Sequence, residues 1–395
     1  MTAPNHQGKE FDIIVYGASG FTGRLVAEYL SKQYKDDADL KWAMAGRSEE
    51  KLRHVRGEIG APADIPLVTA DASDPASLNA LVKRAKVILT TVGPYQIYGS
   101  DVVAACAKAA TDYVDLCGEP AWMREMIDAH EDTAKKSGAR IVFSCGFDSI
   151  PFDLGVLYLQ EKAKEKFGAP CKEVKGRVRK MKGTFSGGTA ASFKATMAAA
   201  FKDPAVVEVL KSPYGLAPGF AGPKQPSGSK PKFDETIDAW VAPFVMAAIN
   251  TKNIHRSNML QNHAYGDEFL YSEMLITGPG DQGEAAAQAV ASDTSMMSDE
   301  GPKPGEGPSK EERENGHYDV LFVGLGAGDN EIRVGVKGDR DPGYGSTSKM
   351  IAESAICLVR DKTETPGGIW TPAPAMGVAL IERLEKNAGL TFKVE

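Results

Sequence analysis

The sequence holds no apolar run of the roughly 20 residues needed to cross a bilayer, so an integral membrane protein is not expected. Its opening, MTAPNHQGKEF, lacks the apolar core of a secretory signal, and a cytoplasmic location is the expectation. Cysteine is scarce. Cys106, Cys117, Cys145, Cys171 and Cys357 are an odd number with no C-x-x-C among them, and they read as reduced, mostly buried thiols. The 6 histidines show no metal-ligand spacing, His255 and His263 being too far apart for one helix face, so no metal is indicated. An excess of basic charge is missing as well. Lys and Arg number 46 against 53 Asp and Glu, a net −7, which argues against nucleic acid as the main partner. What is present is ordinary for a globular protein, at 42% hydrophobic and 25% charged residues, and a length of 395 points to two domains.

From Phe11 to Asp148, short continuous apolar runs alternate with helical patterns. FDIIVYGAS, LKWAMAGRS, DIPLVTAD, AKVILTTVG and RIVFSCGFD read as strands, with helices between them. That rhythm predicts an α/β fold, a doubly wound parallel sheet covered on both faces, over residues 1–150. After Ile150 it changes. KEVKGRVRKMKG opens a new region as a strand, SPYGLAPGFAGPKQPSGSKPKFD is a long loop, and EFLYSEMLITG is strand or helix. HYDVLFVGLGAGDNEIRVGVKGDRD is a hairpin, so residues 151–360 read as a second, inserted α+β domain of antiparallel sheet and helices, suited to substrate or dimerisation. The last stretch, 361–395, is expected to place a helix back on the first domain.

Between the first strand and the first helix lies Gly17-Ala18-Ser19-Gly20-Phe21-Thr22-Gly23. Its first glycine suits a tight turn, its second a close backbone approach to a pyrophosphate, and its third close packing of helix on sheet. Helix N-terminal amides then receive the phosphate charge. At the end of the second strand, an acidic residue would favour NAD through the ribose 2′-hydroxyl. Arg47 and Ser48 stand there instead and can hold a 2′-phosphate, so NADP is the preferred cofactor; a solvated helix-start charge is the alternative for Arg47. Asp71 ends the third strand within reach of an adenine edge, with a surface turn residue as an equal alternative. Val92, Gly93 and Pro94 end the fourth strand, where they would line the nicotinamide ribose.

GASGFTG, AGRS, TVGPYQIYG, YVDLCGE and SCGFDSIPFDLG, followed by GGTAASF, DPGYGSTSKM and GGIWTPAPAMG, together resemble the saccharopine dehydrogenase-like oxidoreductases. The chain is most similar to their branch of bacterial trans-acting enoyl reductases. The resemblance implies a Rossmann domain for NAD(P) with an inserted α+β domain. It also implies NADPH-dependent reduction of a hydrophobic acyl or polyketide-type substrate. It leaves room for a carrier protein or coenzyme A as partner, for a homodimer, and for no more than peripheral membrane contact. Two alternatives stand beside it: an imine- or carbonyl-reducing dehydrogenase on an amino-acid-like substrate, and a non-catalytic NADP-binding sensor.

Enoyl reduction calls for a donor near the nicotinamide to meet the developing enolate charge. Tyr95 is the leading candidate, with Tyr98 behind it and aromatic packing as the alternative; Asp148, with Ser149, is expected to orient substrate, with capping of the helix that begins at Pro151 as the alternative. Cys145 has no histidine near it in sequence and reads as an inert thiol. The basic stretch KEVKGRVRKMKG is a solvated strand face or a dock for an acidic carrier or a phosphate-bearing arm, and GEGPSKEERENG suits a lid.

Overall fold

The computed structural model describes residues 6–184, 187–293, 306–362 and 364–395. Two seven-stranded sheets organise the chain. The first contains β1 (Phe11–Tyr16), β2 (Trp42–Gly46), β3 (Leu67–Thr69), β4 (Ala85–Thr90), β5 (Asp112–Val114), β6 (Arg140–Val142) and β13 (Gly368–Trp370). The second contains β7 (Glu173–Lys182), β8 (Lys232–Asp234), β9 (Ala239–Pro243), β10 (Leu270–Gly278), β11 (His317–Leu325), β12 (Glu331–Gly338) and β14 (Leu390–Val394).

The first sheet is parallel throughout, in the order β13-β6-β5-β4-β1-β2-β3. Every residue of β1 is buried because helices cover both faces: Ile13 and Val15 enter one core, Phe11, Ile14 and Tyr16 the other. The strand order reverses between β1 and β4, which makes the crevice beyond their carboxyl ends the ligand-binding position of such a sheet.

The second sheet runs β14-β12-β11-β7-β10-β9-β8. The expected hairpin is β11 and β12, paired from Tyr318↔Gly338 to Leu325↔Glu331. EFLYSEMLITG resolves as strand β10. One pair departs from the antiparallel expectation: β7 and β10 run parallel, which the long excursion between them permits. The core on the Ile13 side continues without a break into this sheet through Phe152, Val178 and Phe322, so the two sheets share apolar packing.

The chain after 361 does more than supply the helix Pro372–Arg383. It adds β13 to the edge of the first sheet and β14 to the edge of the second. Those strands are three and five residues long and lack a distinct apolar rhythm, so the sequence pattern does not announce them. The lid expected from GEGPSKEERENG falls partly on residues outside those described; Lys310–Glu314 within it is a short helix opened by a Ser309–Glu312 capping box.

Candidate active site

Gly17 leaves β1 at φ +92°, a left-handed conformation natural to glycine, and a Cβ there would lie 2.8 Å from the Val92 side chain. A Cβ on Gly23 would lie 2.1 Å from the Gly17 carbonyl oxygen, so helix Phe21–Gln33 starts hard against the loop. Gly20 is its N-cap and offers no side-chain cap, and no acidic residue lies in the first turn. The positive end of this helix is therefore open to an anion, and the glycine cradle leaves no side chain in the way. Ala18 is fully buried beneath the loop, while Ser19, Phe21 and Thr22 remain half-buried around it.

The other cofactor candidates sit as follows. Arg47 is exposed at the end of β2. Ser48 caps helix Glu49–Glu58, its Oγ accepting from the Lys51 amide at 3.3 Å, and its hydroxyl proton remains available to donate. Asp71 is turned into its own loop: Oδ1 accepts from the Ser73 amide (2.9 Å) and Ser73 Oγ (2.8 Å), which holds the carboxyl below its ordinary range. The turn alternative describes Asp71 better than an adenine contact. The β4 end lies against Gly17, with the Thr91 amide on the Tyr16 carbonyl (3.0 Å) and the Val92 side chain beside the first glycine; Gly93 and Pro94 follow directly in the chain.

A cavity of about 490 Å³ opens from this crevice and extends to the second sheet. Thr22, Thr91 and Gly93 border it on the loop side; Phe193, Met197, Leu210, Phe244 and Ile249 make the far part apolar. Its roof is helix Gly187–Lys202, joined to the rest by Ser192 Oγ donating to Glu119 Oε1 (2.7 Å), Gln96 Nε2 donating to Thr196 Oγ1 (3.3 Å) and Thr189 bonding the Tyr344 hydroxyl (3.1 Å).

Tyr95 borders this cavity but does not present its hydroxyl to it. The hydroxyl donates to the Thr90 carbonyl (3.2 Å) and accepts from the Leu116 amide (3.1 Å), and the ring stacks on Trp122 at 5.6 Å. Burial lifts its pKa well above the ordinary value. Tyr95 is a brace between two strand ends, and this geometry removes it as the donor; Tyr98 is exposed outside the cavity lining. Beneath it, Glu119 accepts from the Tyr95 and Gln96 amides, each at 2.9 Å, and anchors the short helix Tyr95–Tyr98. Glu119 lies in the stretch YVDLCGE, whose polarity signals a pocket rim without saying which residue matters.

Asp148 gains what Tyr95 loses. It borders the cavity, its Oδ1 is shut away from solvent with no hydrogen-bond partner among the described residues, and desolvation raises its pKa to about 7. It does not cap the helix that follows: Ser149 is the N-cap, with no side-chain capping bond. Ser149 itself is held by Asn253 Nδ2 at 2.7 Å. Cys145 is buried, and desolvation pushes its thiol well up, which keeps it inert.

Half of the basic stretch is taken up by ion pairs of the second sheet. Arg177 is fully buried and paired with Asp234 (2.8 Å), Lys175 reaches the same carboxylate (3.2 Å), and Arg179 pairs with Asp319 and Glu395 (2.7 and 2.6 Å). These three charges hold strands together, while Lys172, Lys180 and Lys182 of the same stretch are exposed, as a solvated face would have them.

The sheet, the glycine loop at its switch point and the adjoining cavity define an NAD(P)-dependent oxidoreductase. Residues 13–142 match the family model of the saccharopine dehydrogenase NADP-binding domain. The chain is 41% identical to a protein of Mycobacterium tuberculosis provisionally named a trans-acting enoyl reductase, over 95% of this chain and 96% of that one. It is 38% identical to the trans-acting enoyl reductase of Mycobacterium ulcerans, over 96% of each. The chain belongs to the trans-acting enoyl reductase family of saccharopine dehydrogenase-like proteins. In fold it is similar to the apo saccharopine dehydrogenase (L-Glu forming) of Saccharomyces cerevisiae, with a TM-score of 0.56 at 11% identity, covering 98% of this chain and 99% of that one. Among the described residues, no helix is long and apolar enough to cross a membrane.

Proposed function

We propose that this protein uses NADPH to reduce the carbon–carbon double bond of an α,β-unsaturated acyl substrate, with Asp148 as the proton donor. The observation that carries this reading is Asp148, which borders an apolar cavity that begins at the glycine loop and whose buried Oδ1 is unpaired among the described residues. In this reading Gly17, Ala18, Ser19, Gly20, Phe21, Thr22 and Gly23 hold the diphosphate, Arg47 and Ser48 face the 2′-phosphate, and Val92, Gly93 and Pro94 flank the nicotinamide ribose. When bound, NADPH supplies the hydride that the β-carbon receives.

Asp148, protonated near neutrality, delivers its proton to the α-carbon and is left as carboxylate, to be reprotonated from water. The apolar wall of Phe193, Met197 and Phe244 seats the acyl chain and keeps the carboxyl desolvated. The amino-acid alternative finds less support: among the described residues bordering the cavity there is no Lys or Arg to clamp a substrate carboxylate.

The test is NADPH oxidation followed by absorbance with a panel of enoyl thioesters. Wild-type protein is expected to turn over at least one medium or long enoyl thioester, with a rate that declines as pH rises past about 7, because the acid form of Asp148 is then depleted. Asp148→Asn should lower turnover by about 100-fold, the typical size of a general-acid contribution, while NADPH binding stays intact. Turnover by the Asn variant at the wild-type rate would remove Asp148 from the chemistry. NADPH binding without consumption of any enoyl or imine substrate would favour the sensor reading.

A further inference from the structure

The segment 306–314, distant in sequence from the glycine loop, lies directly across it. A Cβ on Gly307 would come within 2.5 Å of the Phe21 ring, and Pro308 beside it is buried. The segment is tied down behind: the Asp341 amide donates to the Arg313 carbonyl (3.0 Å), and Arg313 Nη1 donates to the Pro308 carbonyl (2.6 Å). The Asp341 turn in turn brings Tyr344 edge-on to Phe21 at 5.2 Å.

This arrangement sets two guanidinium groups around one ring. Arg313 and Arg24 each place Cζ 5.7 Å from the centroid of Phe21, the first residue of a helix whose N-terminal end is itself positive. Arg24 has a partly exposed contact with Glu58 at 3.5 Å. Arg313 makes no ion pair among the described residues; the nearby Asp341 carboxylate, which feels its charge, is already spent on the Tyr344 and Gly345 amides (3.0 and 2.7 Å). Two like charges beside a positive helix end are unfavourable until an anion joins them.

We infer that Arg313 is a cofactor-binding residue contributed from the second half of the chain, facing the diphosphate held at the glycine loop. This rests on the reading of residues 17–23 as the cofactor loop. The segment 306–314 is then a strap over the bound cofactor, and the guanidinium adds a charge-assisted contact common to NADPH and NADH.

Fluorescence titration of the full-length protein with NADPH and with NADH tests this. Arg313→Gln should raise the Kd of both cofactors by about tenfold. It should also flatten the dependence of Kd on salt, and Arg313→Lys should recover part of the loss. Wild-type Kd in Arg313→Gln overturns the inference, as does a loss confined to NADPH. So does a loss that Lys does not relieve with the salt dependence unchanged, which marks a packing role on Phe21. Failure of the wild-type protein to bind either cofactor would instead overturn the reading of the loop itself.

Discussion

In the proposed reading, Arg47 and Arg313 divide two jobs that a binding curve can separate. Arg47 is exposed just beyond β2, and in that reading it faces the 2′-phosphate that NADPH carries and NADH lacks. Arg47→Ala is therefore expected to weaken NADPH by about tenfold or more, the size of a lost charge-assisted contact, with NADH changed little. Equal weakening of the two in a titration would sink the 2′-phosphate assignment. The residue scale is also where sequence reading succeeds and fails most visibly. Tyr95 and Asp148 both follow strands in polar, glycine-rich stretches, and the letters put Tyr95 first as donor. Three-dimensional partners decide: two backbone groups occupy the Tyr95 hydroxyl, and among the described residues none occupies Asp148 Oδ1.

At the scale of elements, Glu353 shows how the late part of the chain is bound to the early part. It is fully buried on helix Thr347–Arg360. It accepts from the hydroxyls of Tyr29 and Tyr34 (both 2.6 Å), from Arg383 (3.0 Å) and from Asn387 (3.2 Å). One carboxylate thus joins the first helix, the helix beside it and the C-terminal segment. Glu353→Ala leaves those donors without their acceptor and should cost about 3–5 kcal/mol, seen as a lower thermal midpoint. Glu353→Gln, which keeps an acceptor oxygen, should cost less, and equal midpoints for all three proteins would deny Glu353 this role. Strands β1, β2, β4 and helix Phe21–Gln33 were legible because their periodicity is local. β13 and β14 were not, since short strands gain their stability from the sheet edges they join.

For the whole molecule, the balance of buried carboxyls sets a pH profile. Desolvation raises Asp115, Asp148 and Asp153 to about 7 and Glu273 to about 8. A group whose folded pKa is raised favours the folded state when protonated, so this stability is present at low pH and lost as pH climbs toward 7–8. Asp234, held down to about 2 by its Arg177 and Lys175 partners, acts oppositely: its contribution is present above the ordinary carboxyl range and lost as pH falls toward 2. The two trends place greatest stability in mild acid. A thermal midpoint higher at pH 5.5 than at pH 8.5 is expected, and a midpoint that rises over that interval would contradict the assignment of these four acids.

The sequence by itself determined the parallel sheet, the strand–loop–helix around Gly17–Gly23 and the family. Each of these depends on residues close together along the chain or on motifs read in order. Only the tertiary structure decided that Tyr95 is a brace, that Asp148 borders a cavity with Oδ1 unpaired among the described residues, that Lys175, Arg177 and Arg179 of the basic strand are held in ion pairs, and that Arg313 lies over Phe21. Those outcomes depend on burial and on partners far apart in the chain, and desolvation and charge pairing are properties of the assembled interior that no local pattern encodes.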